Sequence, residues 1–91
     1  MTTNAVWFKI DGDRVAQSFA DAIGKLDNAG GELALDLSSV RRIDPAALGA
    51  LEKLAAAASG KSVKVELSRV NADVYKVLKL VKLAPQFSFL S

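Results

Sequence analysis

The sequence predicts one α/β domain in which a four-stranded sheet carries about three helices. Short strand-like segments, rich in β-branched or aromatic residues, alternate with longer segments whose apolar residues recur at helical spacing. The 91 residues, of which 51% are hydrophobic, are enough for one small core. We therefore treat residues 1–91 as a single domain and expect residues 1–4 to be disordered.

The first half of the chain predicts a strand, a helix and a second strand. Residues 5–10 favour a strand that ends at the turn sequence 11–13. Trp7 is expected to pack in the core or on a face of the sheet, the alternative being a binding platform. Residues 14–27 predict a helix, which ends before Gly30 and Gly31. Residues 32–37 are apolar enough for a strand in the interior of the sheet. The helix is predicted to turn these apolar side chains to one face: Val15, Phe19, Ala22, Ile23 and Leu26.

The second half predicts two more helices and two more strands. Residues 45–58 form the second predicted helix, and the alternation of apolar and charged residues over 63–67 predicts a strand with one wet face. Asn71 is the predicted N-cap of the third helix, which ends by Pro85, and Phe87 and Phe89 alternate with serines in a brief last strand. These residues are predicted to face the core from the two helices: Leu48, Leu51, Leu54, Ala55, Val74, Val77, Leu78 and Val81.

The start of the second helix is the most informative segment. Asp44 is a good N-cap, since its carboxylate can accept a hydrogen bond from a free amide of the first turn, and Pro45 suits the first helical position. A helix start that follows a strand is a natural seat for an anion or a phosphorylated side chain. Yet the first turn, residues 45–47, carries no hydroxyl, thiol or imidazole.

Composition excludes several classes of function. Cysteine and histidine are absent, which excludes disulfides, thiolate or Ser-His-Asp catalysis and histidine metal sites, and there is no Gly-rich phosphate loop. We expect no enzyme activity, cofactor or metal. The net charge of +2 is too small for a nucleic-acid partner, the apolar runs are too short for membrane insertion, and the first residues lack a secretory signal, so we expect a cytoplasmic protein.

The segment 36–51 resembles the core of the STAS domain family of sulfate transporters and anti-sigma factor antagonists. The matching residues are Asp36, Leu37, Ser38, Val40, Ile43, Asp44, Leu48, Gly49 and Leu51. The resemblance extends over about residues 5–90 and implies a mixed four-stranded sheet with about three helices. Relative to the family, the chain is expected to be a minimal version without an extra N-terminal strand and a C-terminal helix, and a homodimer is one expectation.

The resemblance also implies a function. In the antagonists, the second aspartate is followed by Ser-Ser-Gly-Leu-Gly, and a partner kinase phosphorylates the second serine. In this sequence that position is Ala46, which cannot be phosphorylated. The leading interpretation is a bacterial protein-protein interaction module of the antagonist type, which binds an anti-sigma kinase and regulates transcription by partner switching. The alternative, suggested by residues 70–75 and 80–83, is a cytoplasmic STAS accessory subunit on the ATPase of a bacterial lipid-transport ABC system.

The predicted partner-binding surface comprises the loop before the second helix and the outer side of its first turns. Small residues there either reflect helix propensity alone or let a partner approach closely. Asp36 and Asp44 are candidate contacts for an anion or nucleotide, or else structural caps, and Ser38 and Ser39 are either phosphorylation sites or turn residues. The predicted partner-binding residues are Ser38, Ser39, Arg41, Arg42, Asp44, Pro45, Ala46, Ala47, Gly49, Ala50 and Lys53.

Lysines recur every three residues along the third helix, at Lys76, Lys79 and Lys82. Such a stripe forms a solvated face, or else it contacts an acidic partner or an anionic membrane surface.

Overall fold

The computed structural model describes residues 6–28 and 30–90, so the expectation about residues 1–4 lies outside it. Strands and helices alternate along the chain. Two 3₁₀ helices, Leu26–Asn28 and Ala84–Gln86, follow the first and third α-helices. The main elements are β1 (Val6–Lys9), α1 (Val15–Lys25), β2 (Glu32–Asp36), α2 (Pro45–Gly60), β3 (Lys64–Ser68), α3 (Ala72–Leu80) and β4 (Ser88–Leu90).

The four strands lie in the sheet in chain order, β1-β2-β3-β4, and each neighbouring pair is parallel. The predicted α/β class, with four strands and three helices, is confirmed. One detail differs from the expected mixed sheet: the strands run parallel, because every connection returns through a helix. Right-handed crossovers in a sheet of this order place α1, α2 and α3 on the same face.

The core lies between that face and the helices. Leu33 and Leu35 of β2 and Leu67 of β3 are fully buried, as are Phe19 of α1 and Leu51 of α2. Burial of a leucine or phenylalanine side chain of this kind stabilises the fold by roughly 1.5–3 kcal/mol relative to exposure. Among the described residues, none of the helices has the length and apolar run that crossing a bilayer demands.

Within residues 6–28 and 30–90, no helix covers the opposite face of the sheet. Trp7 pairs with Ala34, which pairs with Glu66, so these three residues form the row that alternates with the core row. The Trp7 side chain is 60% exposed. The expected position of Trp7 in the core is therefore wrong, and its side chain lies largely exposed on the open face of the sheet.

Helices α2 and α3 end in the same way. Ser62 and Lys82 have positive φ angles of 57° and 63°, and each is followed by a residue whose amide bonds back into the helix: Val63 N to Ala58 O at 2.9 Å, and Leu83 N to Leu78 O at 2.9 Å. This is the Schellman arrangement, usually built on glycine.

The turn at the end of α3 corrects one predicted core residue. Val81, predicted to face inward, is the C-cap of the helix and is 42% exposed. The left-handed conformation of Lys82 redirects the chain at this point. Leu83, which is only 4% exposed, fills the core beside Leu78 instead.

Candidate functional site

The candidate site lies at the edge of the sheet where the parallel strands end. The loop between β2 and α2, residues 37–44, is joined to both neighbouring strands: Ile10 N donates to Asp36 O, and Leu37 N donates to Ser68 O, each at 2.9 Å. The loops that follow β1 and β3 therefore flank it. In open α/β sheets, ligands bind outside the carboxyl ends of the strands, and binding residues often lie on loops that such a rigid scaffold positions.

The start of α2 forms one side of the site. Asp44 has an extended backbone, and its Oδ1 accepts a hydrogen bond of 2.8 Å from Ala47 N, with Pro45 in the first turn. The predicted cap is thus confirmed. Asp44, Pro45 and Ala46 are exposed, whereas Ala47 is fully buried. The surface of the first turn is therefore formed by Pro45 and Ala46, neither of which carries a polar side chain.

Asp36 fixes the beginning of the loop. Its Oδ1 accepts a hydrogen bond of 2.9 Å from Ser38 N. This bond and the Ser38 hydroxyl hold the pKa of Asp36 below its usual value, and the positive charges of Arg69 and Lys9 act in the same direction. Asp36 and Asp44 therefore both bind backbone amides. Within residues 6–28 and 30–90, no group of three or more His, Cys, Asp or Glu side chains is placed to hold a metal ion.

An open, polar cavity of about 640 Å³ lies beside this loop. Two aspartates of the loop after β1 line it, opposite two exposed arginines. Residues 11–13 were predicted only as a turn, and their place in the site was missed. The sequence signal was the Asp-Gly-Asp turn that follows β1. In the structure, Asp13 N donates to Asp11 Oδ1 at 2.8 Å, which is the same aspartate turn that Asp36 makes with Ser38 N after β2. The cavity is lined by Asp11, Gly12, Asp13, Ser38, Ser39, Arg41 and Arg42.

Gly12 sets how closely the two loops approach. A Cβ atom on Gly12 would lie 2.1 Å from the carbonyl oxygen of Ser39 and 3.2 Å from its Cβ. Real Cβ atoms do not approach a backbone oxygen to this distance. Only glycine at position 12 therefore allows the present contact between the β1–α1 loop and the β2–α2 loop.

Asn71 joins the β2–α2 loop to the start of α3. Its Oδ1 accepts a hydrogen bond of 2.8 Å from Val74 N, which confirms the predicted N-cap. Its Nδ2 also donates to Val40 O at 3.0 Å and to Arg41 O at 3.1 Å. These two bonds were not predicted from the sequence. No local pattern indicates them, because they join residues about 30 positions apart.

The outer side of α2 is only partly open. Lys53 is exposed, but Gly49 and Ala50 are half-buried, and Ala50 and Ala57 pack against the core. A Cβ atom on Gly49 would meet no atom within 4 Å, so the space above this glycine is free. The accessible small-residue surface therefore runs from Pro45 and Ala46 past Gly49.

The three lysines of the stripe do not join the site. Helix α3 begins beside the loop, directly after Asn71. Lys76 and Lys79 lie along the helix and Lys82 lies just beyond its C-cap, and all three are exposed. Lys79 Nζ lies 5.6 Å from the centre of the Tyr75 ring, whose edge meets Phe89 at a centroid distance of 5.1 Å. These lysines belong to a separate surface.

The chain is similar to known proteins in sequence and in structure. The family model described as "Mlab, STAS domain" matches residues 9–87. A structure from Thermotoga maritima, assigned as an anti-sigma factor antagonist, is similar with a TM-score of 0.77 and 22% identity, over 100% of this chain and 82% of that one.

The STAS domain of a SulP transporter from Vibrio cholerae is similar with a TM-score of 0.72 and 21% identity, over 99% of this chain and 76% of that one. The curated proteins contain no match. At these identities, the likeness to the two structures shows the fold.

Proposed function

This chain belongs to the STAS domain family, and we propose that it is a non-catalytic module that binds a protein partner through the β2–α2 loop and the start of α2. One observation carries the proposal. The capped helix start exposes Pro45 and Ala46 at the end of a strand, beside two exposed arginines, yet offers no nucleophile. Such a surface is suited to contact and not to chemistry.

The partner-facing part of the surface comprises the exposed and half-exposed members of the predicted set. Ala47 is left out, because its side chain is fully buried and serves the core. Arg41 and Arg42 supply positive charge, Pro45 and Ala46 supply a smooth contact, and Lys53 adds a third positive charge about two turns along the helix. A partner with a small apolar contact bordered by acidic groups would complement this arrangement.

The absence of a serine at position 46 determines how such a module would be regulated. In the antagonist setting, a phosphate at this position breaks binding by charge repulsion and by the cost of desolvation. Ala46 cannot accept a phosphate, so we propose a module of the antagonist type that binds constitutively. Its cellular amount, and not a phosphoryl group at the helix start, would then control the complex.

A second candidate is an accessory subunit bound to the ATPase of a bacterial lipid-transport ABC system. The matching family model is described as "Mlab, STAS domain" and does not carry the name of an antagonist, which favours a STAS subgroup other than the antagonists. Both candidates use the same surface. They differ in the partner, a kinase-like anti-sigma protein or an ABC ATPase, and therefore in the pathway.

The test is a pull-down from the source organism with a tagged chain, in which the wild type is compared with Ala46→Glu. Ala56→Glu is the matched control, since Ala56 is also an exposed alanine of α2 but lies ten residues further along. An unpaired carboxylate at a partner contact typically costs 2 kcal/mol or more, so recovery should fall by at least about tenfold for Ala46→Glu only. Thermal melts should show that both variants are folded.

Each outcome has a defined meaning. Loss of an anti-sigma kinase with Ala46→Glu supports the antagonist-type module, whereas loss of an ABC ATPase supports the second candidate. Equal recovery of the same partner by the wild type and Ala46→Glu contradicts the proposed surface. Incubation with ATP and the recovered kinase provides a further check, because phosphate on Ser38 or Ser39, the hydroxyl residues of the β2–α2 loop, would contradict constitutive binding.

A further inference from the structure

We infer that Asn71 is a positioning residue for the partner-binding loop, acting together with Gly12 on the other side of that loop. The inference rests on the proposed function, because it concerns the same surface. Asn71 lies outside that surface in the sequence, but its side chain spans from the start of α3 to two carbonyl groups of the β2–α2 loop. It makes three hydrogen bonds and uses both ends of its amide to do so.

The loop depends on such support. Its backbone bonds among the described residues are local or lie at its ends: Val40 N to Leu37 O at 3.0 Å, and the aspartate turn at Ser38. Val40 and Ile43 anchor it to the core, but Arg41 and Arg42 between them are exposed. The two bonds from Asn71 Nδ2 to Val40 O and Arg41 O hold the backbone at the point where the chain passes from the buried Val40 to the exposed arginines.

Gly12 limits the loop from the opposite side. The Ser39 carbonyl packs against Gly12 so closely that a Cβ atom at position 12 would lie 2.1 Å away. The loop is thus held between a hydrogen-bonding side chain on one flank and a side-chain-free backbone on the other. We call this arrangement, Gly12 and Asn71 on either side of residues 38–42, the loop clamp.

The clamp affects binding through preorganisation. A partner that requires one loop conformation binds with an apparent affinity reduced by the fraction of molecules in that conformation. If the released loop adopted the binding conformation in only about one tenth of the molecules, the dissociation constant would rise about tenfold, although no contact to the partner is removed. A purely structural role for Asn71 would instead reduce stability and leave the affinity of the folded protein unchanged.

Asn71→Asp separates the two tasks of this side chain. Aspartate is as good an N-cap as asparagine, so the bond from Val74 N is retained. The donor is lost, and a carboxylate oxygen now faces the Val40 and Arg41 carbonyls, which pushes the loop away. Asn71→Ser is the matched variant: it keeps a capping oxygen, is too short to reach the loop and adds no charge. Gly12→Ala tests the other flank.

The first measurement is ¹⁵N relaxation and amide exchange on the isolated domain, which needs no partner. We expect lower heteronuclear NOE values at Arg41 and Arg42 and faster exchange at Val40 in both Asn71 variants, while the amides of α3 keep their protection. The second measurement is the dissociation constant for the partner recovered by the wild-type chain. We expect it to rise about tenfold for Asn71→Asp and for Gly12→Ala.

Two results would overturn the inference: unchanged loop dynamics in Asn71→Asp, or a mobile loop with an unchanged dissociation constant. The first result does not depend on the Ala46→Glu experiment, whereas the second is read only for a partner whose binding Ala46→Glu weakens. If Ala46→Glu leaves the partner bound, the proposed surface fails, whereas the relaxation data still decide whether Asn71 and Gly12 hold the loop.

Discussion

Replacement of Asp44 by alanine should destabilise the domain through the start of α2. The structure assigns the Asp44 carboxylate one defined task, a hydrogen bond of 2.8 Å from Ala47 N. Loss of an N-cap of this kind costs about 1 kcal/mol, and loss of a negative charge at a helix start costs about 0.5 kcal/mol more. We therefore expect the free energy of unfolding to fall by about 1.5 kcal/mol. For a domain of this size, this lowers the melting temperature by about 6–12 °C.

Urea denaturation followed by circular dichroism measures this change. Asp44→Asn separates its two parts, because asparagine keeps the accepting oxygen and loses only the charge; its cost should be about 0.5 kcal/mol. Glu52→Ala, at an exposed position of the same helix, is the control and should change the free energy of unfolding by less than about 0.5 kcal/mol. If Asp44→Ala were no more costly than Glu52→Ala, the cap would not stabilise α2 and the reasoning would be wrong.

Three further predictions concern stability. Because the pKa of Asp36 is lowered in the folded state, its carboxylate stabilises the fold above the unfolded pKa of about 3.9, and this stabilisation is lost as the pH falls through the folded pKa. The difference in unfolding free energy between the wild type and Asp36→Asn should therefore shrink below about pH 4. A difference independent of pH would contradict the Ser38 bonds as its source. Ser62→Gly should raise the free energy of unfolding by about 0.5–1 kcal/mol, since Ser62 has a φ of 57°, and a loss in urea titrations would argue against strain there. Lys61→Met should change it by at most about 0.5 kcal/mol despite the 2.6 Å bridge to Asp27, because both side chains are well exposed; a salt-dependent loss above 1 kcal/mol would show this view of the pair to be mistaken.

The fold followed from the sequence because its signals are local. The periodicity of α1 and α2, the cap at Asp44 and the cap at Asn71 all involve residues within a few positions of each other, and each was found where predicted. The STAS resemblance added the family, and the family model that matches residues 9–87 confirms it. Strand direction was harder to predict, since parallel pairing follows from all the crossovers together and from no single segment.

Periodicity failed where the backbone left the regular helix. Val81 stands at helical spacing from Val74 and Leu78, so the pattern placed it in the core. The helix ends at Leu80, directly before Val81, and the left-handed turn at Lys82 places Leu83 in the core instead. Lysine gives no warning of such a turn, whereas a glycine at that position would have indicated it.

The candidate site was predictable in its segment but not in its support. Arg41, Arg42 and the start of α2 could be chosen because they lie in one stretch with a recognisable cap. The clamp could not, since Gly12 and Asn71 contact the loop across about 27 and 30 positions of the chain. Contacts between residues so far apart in the chain depend on the register of the finished sheet, and no local pattern in a single sequence predicts them.

The order of the strands has a consequence for how the domain is made. Because β1, β2, β3 and β4 occupy the sheet in the order of synthesis, each strand that leaves the ribosome can pair beside the one made before it. Among the strands that the structure describes, no later strand inserts between two earlier ones, so the growing chain need not reopen a formed pair. Partly folded intermediates with unpaired strand edges are the species from which larger proteins aggregate. Vectorial assembly from one edge therefore spares this sheet a common route to misfolding.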